Sequence, residues 1–458
     1  MLDLPFAKDK AYYVVGLARS GLATCRALFK AGARVYAWDD ANQGARDEAT
    51  SMGAQVLPPH EAPWGDLAAL VLSPGIAHLN PLPHESATLA RAAHVPIICD
   101  LDLLFQLPTS ARTICVTGTN GKSTTTALIA HILTQAGHLV QMGGNIGVPA
   151  LDLAPLPKGG FYVLEMSSYQ LERVPHMRAH VGVLLNLTPD HLSRHGGWAG
   201  YIEAKERLLL QGAPFMVMGQ DDEENRILYE KHAARLEACT VHLHERQPGA
   251  LYVAGPSLVD ARWEEARTIV TLSDVKDHLP GLHNAQNILA AYGACRAVGV
   301  SFEACQKGIL SFPGLAHRIE RLGKVQGVTF INDSKGTNGQ ATANALRAFQ
   351  DISWIVGGVA KEDGLEAVQD QLPRVRHAYL IGQSQDDFAK ALDGHVPYTK
   401  CTTLDQAVAR AMEDLAGKTG TLLLSPACAS FDQFADFEAR GNAFRALFES
   451  YHGKEGAQ

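Results

Sequence analysis

No stretch of this chain approaches the ~20 consecutive apolar residues that a membrane-spanning helix requires. The N-terminus, MLDLPFAKDKAYYVVG, sets acidic and basic residues ahead of a short apolar run, unlike a signal peptide. Positive charge is not in excess either. Forty lysines and arginines against 48 aspartates and glutamates leave a formal net charge of −8, which offers no general attraction to nucleic acid or to an anionic membrane. Cysteine is sparse and scattered: the eight (Cys25, Cys99, Cys115, Cys239, Cys295, Cys305, Cys401, Cys428) contain no C-x-x-C pair, so neither a zinc cluster nor a disulfide framework is indicated. A reducing cytoplasm fits best. Short-period repeats are missing as well. What is present is an ordinary globular composition, 46% hydrophobic and 19% charged over 458 residues, enough for about three domains.

The order of apolar runs supports three α/β units, placed at residues 1–107, 108–313 and 314–458. In the first, AYYVVG, SGLATCRALFKAG and ARVYAWDD alternate strand-like and helix-like patterns, which argues for βαβ units and a parallel sheet. Its opening turn GLARSG, residues 16–21, approximates G-x-G-x-x-G with Ala18 at the middle glycine, and Asp39 follows about 20 residues on. A nicotinamide dinucleotide, another nucleotide and a helix start that merely needs glycine are all compatible with that turn. The second unit contains the runs RTICVTG, FYVLEMS, VGVLLNL and PFMVMG. Its polar stretch from about Asp221 to Asp277 reads as strands and loops. The third follows a hinge expected near Gly314 and holds VTFINDS, DISWIVGG, RHAYLIG and GTLLLSP, again separated by helical patterns.

The richest local signal is TGTNGKSTTTALIAHIL, starting at Thr117. It resembles a Walker loop that has lost its first glycine, since Val116 stands five positions before Gly121. A strand leading through Gly118, Thr119, Asn120 and Gly121 into a helix aims backbone N–H groups and the helix dipole at an anion. Lys122 can reach the β- and γ-phosphates of ATP, and the hydroxyl of Ser123 or Thr124 can touch Mg²⁺. A Gly-rich turn that only caps a helix is the plainer alternative.

The loop is similar to that of the ATP-dependent Mur ligases and folylpolyglutamate synthases. The strings GLAHRIE, INDSKGTN and LLSPACASFDQF, starting at Gly314, Ile331 and Leu423, resemble more narrowly the branch of that family that adds D-glutamate to UDP-N-acetylmuramoyl-L-alanine in peptidoglycan precursor synthesis. Another Mur-type ligase or a folylpolyglutamate synthase is the neighbouring possibility. The resemblance runs in order along nearly the whole chain. It implies a Rossmann-like N-terminal domain, a central ATPase domain of P-loop type and a Rossmann-like C-terminal domain. It also implies an ATP-dependent, ADP-forming amide synthetase that works through an acyl phosphate.

By that resemblance Lys122, Glu165, His191 and Lys205 are catalytic, and Ser123, Glu165, His191 and Lys205 surround Mg²⁺, two ions being expected. Read alone, Lys205 in YIEAKERLLL is a solvated lysine on an amphipathic helix and His191 a loop histidine. The family implies instead a carbamylated Lys205, a modification that needs a neutral amine. Asn284, Asn287, Arg318 and Asp333 look like residues that hold ATP, although asparagines at a helix start are also good caps. GLARSG would then hold uridine diphosphate rather than NAD, with Ser20, Asp39, Ser73 and Gly75 as contacts. Asn145 and His191 would lie near the reacting carboxylate. Lys335, Thr337, Lys361, Ser430 and Phe431, the last two ahead of a helix beginning DQFADFEARG, would hold D-glutamate. Val359 departs from the family pattern, in which many relatives carry aspartate two residues before the lysine that corresponds to Lys361. No nucleic acid and no membrane insertion are expected, and the chain is expected to act as a cytoplasmic monomer.

Overall fold

Strand Ala11–Val15 is buried along its whole length, as a strand covered on both faces of a parallel sheet must be. Its neighbours extend the same logic into a five-stranded, all-parallel sheet in the order Gln55–Val56, Arg34–Trp38, Ala11–Val15, Leu67–Leu72, Ile97–Ile98. The order reverses between Ala11–Val15 and Leu67–Leu72, so the ligand crevice of a doubly wound sheet belongs at the carboxyl ends of those two strands, at Gly16 and Ser73. In this computed structural model, residues 2–211, 213–263, 265–276, 278–360 and 364–455 are described.

The described residues form two further sheets. A nine-stranded sheet runs in the order Arg267–Thr271, Ser257–Asp260, Leu251–Ala254, Glu237–His242, Phe215–Gly219, Val181–Leu184, Arg112–Thr117, Phe161–Glu165, Val140–Gly144. It is parallel apart from the pairings made by Ser257–Asp260. A six-stranded sheet runs Glu320–Val325, Val328–Asn332, Gly420–Leu424, Ile352–Gly357, Val375–Ile381, Tyr398–Thr402, and only Glu320–Val325 pairs antiparallel.

The chain packs as two compact units. One runs to Leu272 and resumes over Leu282–Phe312; the other comprises Ser273–Gly281 and the chain from Pro313 onward. The first two sheets therefore share a unit. Leu101, Leu104 and Phe105 of helix Asp100–Phe105 bury in the same apolar cluster as Leu151, Leu153 and Leu164. Among the described residues no helix is long and apolar enough to cross a membrane.

Three local expectations need correction. The polar segment read as strands and loops contains the helix Glu223–His232, and its start is capped by Asp222, whose Oδ1 accepts from Asn225 N at 2.9 Å. Glu223 and Glu224 in its first turn and Lys231 and His232 in its last complement the dipole. The helix expected to begin at Asp432 begins at Phe437. Ser430 O accepts from Gln433 N and Phe434 N in a turn, and Asp436 Oδ1 accepts from Ala439 N at 2.7 Å in N-cap fashion. The C-terminal sheet also has two edge strands, ERLGKV and YTKCT, that no apolar run announced. Polar, partly exposed edges are how sheets avoid pairing with other chains.

Candidate active site

The strand Arg112–Thr117 delivers its chain to the loop Gly118–Gly121, and the 14-residue helix Lys122–Gln135 starts immediately after. Gly118 and Gly121 have φ of 146° and 86°, which favour glycine. Space is closed as well. A Cβ on Gly118 would stand 2.9 Å from Leu185 Cβ, and one on Gly121 would stand 2.1 Å from Asn287 Oδ1. Asn186 pins the loop from the neighbouring strand end, its backbone O accepting from Thr119 N and its side-chain Oδ1 from Asn120 N, both at 2.8 Å. Lys122 folds back, donating from Nζ to Gly118 O at 3.0 Å and Thr119 O at 2.7 Å. Ser123 and Thr124 are buried in the first helical turn. Thr125 Oγ1 donates to Asn287 Oδ1 at 3.2 Å, and Asn287 Nδ2 donates to Asn284 Oδ1 at 2.9 Å. Both asparagines are buried in helix Leu282–Ala297. The expected ATP residues of the central sheet thus form one contiguous group.

Lys205 lies beneath that loop and is not solvated. It is 1% exposed, and its ammonium donates to Thr117 Oγ1 at 3.0 Å and Gly118 O at 2.8 Å. Burial, reinforced by the charge of Lys122, holds its pKa well below the ordinary amine value, while Asp190 and Glu165 oppose the shift. Glu165 ends strand Phe161–Glu165, 2% exposed, and its Oε1 accepts from Asn145 Nδ2 at 2.8 Å. Asn145 N also donates to Glu165 O at 3.0 Å, so the turn after Gly144 is registered directly on the glutamate. His191 stands at the start of the short helix Leu192–His195 with φ of 51°, half exposed, 3.6 Å from Asp190 Oδ2. A train of rings links it inward: Tyr169 is 5.3 Å from His191 and 5.3 Å from His195, which is 5.4 Å from Tyr201.

Tyr201 is a residue that the motifs did not single out. Its hydroxyl is 2.8 Å from Thr119 Oγ1, and Lys205 Nζ lies 5.2 Å from its ring centroid. One signal pointed to it: Tyr201 precedes Lys205 by four residues and so shares its helix face.

At the switch point of the N-terminal sheet, Asp39 Oδ2 accepts from Leu17 N at 2.7 Å and Oδ1 from Ala41 N and Asn42 N at 3.1 and 2.9 Å. Asp39 therefore ties the turn after the first strand to the end of the second. Ser73 Oγ donates to Gly16 O at 2.6 Å and lies 3.4 Å from Ser20 Oγ. Gly75 has open space where a Cβ would point. The four residues expected to contact uridine diphosphate thus come together around the crevice at Gly16 and Ser73.

The remaining expected residues stand in the C-terminal unit. Asp333, 4% exposed, accepts from Ser425 Oγ at 2.7 Å and Ile319 N at 3.1 Å. Burial pushes its carboxyl up to about 7, against the nearby Arg318 and Arg440 charges. Lys335 places its ammonium 4.9 Å from the Phe437 ring centroid, and Thr337 N donates to Lys335 O at 2.8 Å. Ser430 is buried, whereas Phe431 is 74% exposed. The aromatic ring against Lys335 is Phe437, three residues past the end of the SFDQF string. Lys361 lies outside the described residues.

A compact glycine turn at a helix N-terminus, with a buried lysine beneath it and a buried glutamate ending the neighbouring strand, in a chain of three mostly parallel sheets, fits the build of a Mur ligase. Residues 116–295 match the family model for the Mur ligase middle domain, and residues 317–428 the one for the Mur ligase glutamate ligase domain. The UDP-N-acetylmuramate–alanine ligase of Thermotoga maritima is similar in structure with a TM-score of 0.57 at 18% identity, covering 96% of this chain and 99% of that one. The UDP-N-acetylmuramoylalanyl-D-glutamyl-2,6-diaminopimelate–D-alanyl-D-alanyl ligase of Acinetobacter baumannii gives 0.59 at 18%, covering 98% and 92%. At such identities the likeness concerns the fold alone. In sequence, the UDP-N-acetylmuramoylalanine–D-glutamate ligase of Paramagnetospirillum magneticum is 44% identical over 457 residues, 98% of this chain and 99% of its own. That of Brucella abortus is 44% identical over 454 residues, 97% of each. The chain belongs to the Mur ligase family, and within it to the UDP-N-acetylmuramoylalanine–D-glutamate ligases.

Proposed function

We propose that this protein joins the carboxylate of UDP-N-acetylmuramoyl-L-alanine to the amine of D-glutamate, with ATP converted to ADP and phosphate, in peptidoglycan precursor synthesis. A carboxylate anion does not condense with an amine. Its oxygen first takes the γ-phosphoryl group of ATP, ADP leaves, and the amine then attacks the acyl carbon and expels inorganic phosphate. The protein's part is to position two anions and to stabilise the charge that builds between them.

The residues divide that work by chemistry. The N–H groups of Gly118, Thr119, Asn120 and Gly121 and the helix N-terminus at Lys122, Ser123 and Thr124 cradle the phosphates, and the Lys122 ammonium exchanges its loop carbonyls for the β- and γ-phosphates. Asn284, Asn287, Arg318 and Asp333 hold the rest of ATP. Ser20, Asp39, Ser73 and Gly75 take uridine diphosphate, with Asn145 and His191 nearer the reacting carboxylate. Lys335, Thr337, Lys361, Ser430 and Phe431 take D-glutamate. The division into domains at residues 107 and 313 gives each a main ligand: uridine diphosphate to the first, ATP to the second and D-glutamate to the third. The enzyme would work as a cytoplasmic monomer.

Mg²⁺, in two sites, would be held by Ser123, Glu165, His191 and the modified Lys205 together with phosphate oxygens, and it supplies charge neutralisation to the phosphoryl group. The donor set suits it. Mg²⁺ is held by one or two carboxylates together with phosphate oxygens and water, so the buried Glu165 fits it. A Lys205 carbamate would add a second anionic oxygen. Its buried amine, facing Lys122, favours the neutral form that attacks CO₂ with loss of a proton.

The burial of Lys205 against Thr117 and Gly118 is the observation that carries this reading, because a lysine charged and idle in such a place would be costly. Phosphate release tests it. ATP, Mg²⁺ and the UDP-muramoyl-alanine precursor with D-glutamate should give rapid release, and omission of the precursor should abolish it. Oxygen-18 in the precursor carboxylate should appear in the released phosphate. Hydrolysis without precursor would instead mark a nucleotide switch, and turnover with L-alanine, a diamino acid or L-glutamate in place of D-glutamate would mark a sister ligase.

A further inference from the structure

Arg173 is among the largest fully buried side chains of the molecule, and no carboxylate lies within 4 Å of its guanidinium among the described residues. Every partner is a backbone carbonyl. Nε donates to Tyr169 O at 2.9 Å, Nη1 to Leu72 O at 3.2 Å and Ser73 O at 3.3 Å, and Nη2 to Pro74 O at 3.4 Å. Glu172 and Asp100 favour its charge through space, but neither hydrogen-bonds to the guanidinium, and burial outweighs them and lowers the Arg173 pKa. A buried cation whose hydrogen-bond partners are all carbonyls adds little to stability, since an apolar side chain of similar size would avoid the desolvation.

What Arg173 does hold is specific. Leu72, Ser73 and Pro74 are the carboxyl end of strand Leu67–Leu72, at the switch point of the N-terminal sheet. The Ser73 hydroxyl, which donates to Gly16 O, can keep that bond only while the Ser73 backbone stays in place. Arg173 itself comes from the central sheet's side, eight residues after Glu165, and the intervening chain is braced. Ser167 and Gln170 form a capping box, and the buried His195 bridges Glu172 Oε1 at 2.7 Å and Ser168 Oγ at 2.9 Å. A second arginine repeats the arrangement. Arg194, three residues after His191, donates to Gly75 O at 2.8 Å and Pro74 O at 3.5 Å while lying over the Tyr169 ring at 4.6 Å.

We propose that Arg173 is a positioning residue for the sugar-nucleotide substrate: acting through Ser73, it sets the loop 73–75 that faces the diphosphate and locks that loop to the segment carrying Glu165. This rests on the assignment of uridine diphosphate to the N-terminal crevice. The four-point grip on carbonyls needs the planar fork of arginine, which a lysine ammonium does not reproduce.

The test is steady-state kinetics on Arg173→Met, Arg173→Lys and Ser73→Ala in the full-length enzyme, with calorimetric titration of UDP-N-acetylmuramoyl-L-alanine. Arg173→Met should raise KM for the precursor at least tenfold and leave KM for ATP within twofold. Arg173→Lys should recover part of that loss, and its effect should be less than additive with Ser73→Ala. A precursor KM within twofold of wild type in both Arg173 variants would overturn the proposal. So would an equal rise in all three substrate KM values, or full additivity with Ser73→Ala. If Arg173→Met does not fold, Arg173→Lys and the double variant decide alone. Failure of the wild-type enzyme to bind the precursor at all would instead overturn the underlying site assignment.

Discussion

Gly121→Ala tests the phosphate loop most directly, because two independent penalties can be read from its surroundings. Gly121 holds φ of 86°, and an L side chain in that region loses roughly 1–2 kcal/mol. The added Cβ would also sit 2.1 Å from Asn287 Oδ1, far inside contact distance, so the amide must swing away. In doing so Asn287 gives up its bonds with Thr125 Oγ1 at 3.2 Å and Asn284 Oδ1 at 2.9 Å, each worth about 1 kcal/mol. Together these reach about 3–4 kcal/mol against the cradle geometry. A loop that escapes the strain by moving is competent for only a fraction of the time, and apparent affinity falls by that fraction. At ~1.4 kcal/mol per tenfold, ATP affinity should drop about 10²- to 10³-fold. Gly137 supplies the control. It lies just past the other end of the same helix with the same φ of 86°, and nothing stands within 4 Å of its Cβ position. Gly137→Ala should therefore show the backbone strain in a thermal melt and leave ATP binding unchanged. Calorimetric titration of ATP into both variants is the assay. An ATP affinity for Gly121→Ala within threefold of wild type would refute the reasoning, as would an equal loss in Gly137→Ala.

Lys205→Ala should lose about 10²- to 10³-fold or more in kcat, the scale for removing one electrostatic element from a site of this kind, and added formate or acetate should restore part of it; full activity without additive would end the carbamate proposal. Glu165→Gln keeps the Oε1 position that accepts from Asn145 but removes the charge, so the Mg²⁺ concentration for half-maximal rate should rise and kcat/KM fall about 10²-fold. An unchanged Mg²⁺ requirement would remove Glu165 from the metal site. Folding raises the Asp333 carboxyl from 3.8 to about 7, so native Asp333 keeps a proton that the unfolded chain gives up. Its stabilising contribution is complete below pH ~4 and is lost as pH rises towards 7. Melts across that range should show wild type losing stability relative to Asp333→Asn, and parallel curves would count against the assignment.

The strand, glycine turn and helix around Gly118–Gly121 were legible because their information is local: strand, glycine, lysine, hydroxyl and helix follow one another within a few residues, and each has its own backbone or charge requirement. The parallel sheets were legible for a similar reason, since strands buried on both faces must be apolar throughout. Polar elements escaped where only a cap announced them, as Asp222 does for Glu223–His232. The place of Phe437 beside Lys335 needed the turn at Ser430 and the late helix start, which periodicity does not encode.

Lys205 is the instructive case. Its partners, Thr117 and Gly118, come from a strand end 88 and 87 residues earlier, so no window along the chain could have shown the contact. Yet its helix did carry a sign. Tyr201, Ala204, Leu208 and Leu209 are the buried apolar residues of the helix, and Lys205 falls among them, four after Tyr201 and four before Leu209, on the face turned to the core. A lysine on a solvated face needs no explanation. One in the middle of an apolar face must have its ammonium satisfied by another element, and here the partners are Thr117 Oγ1 and Gly118 O at the end of strand Arg112–Thr117.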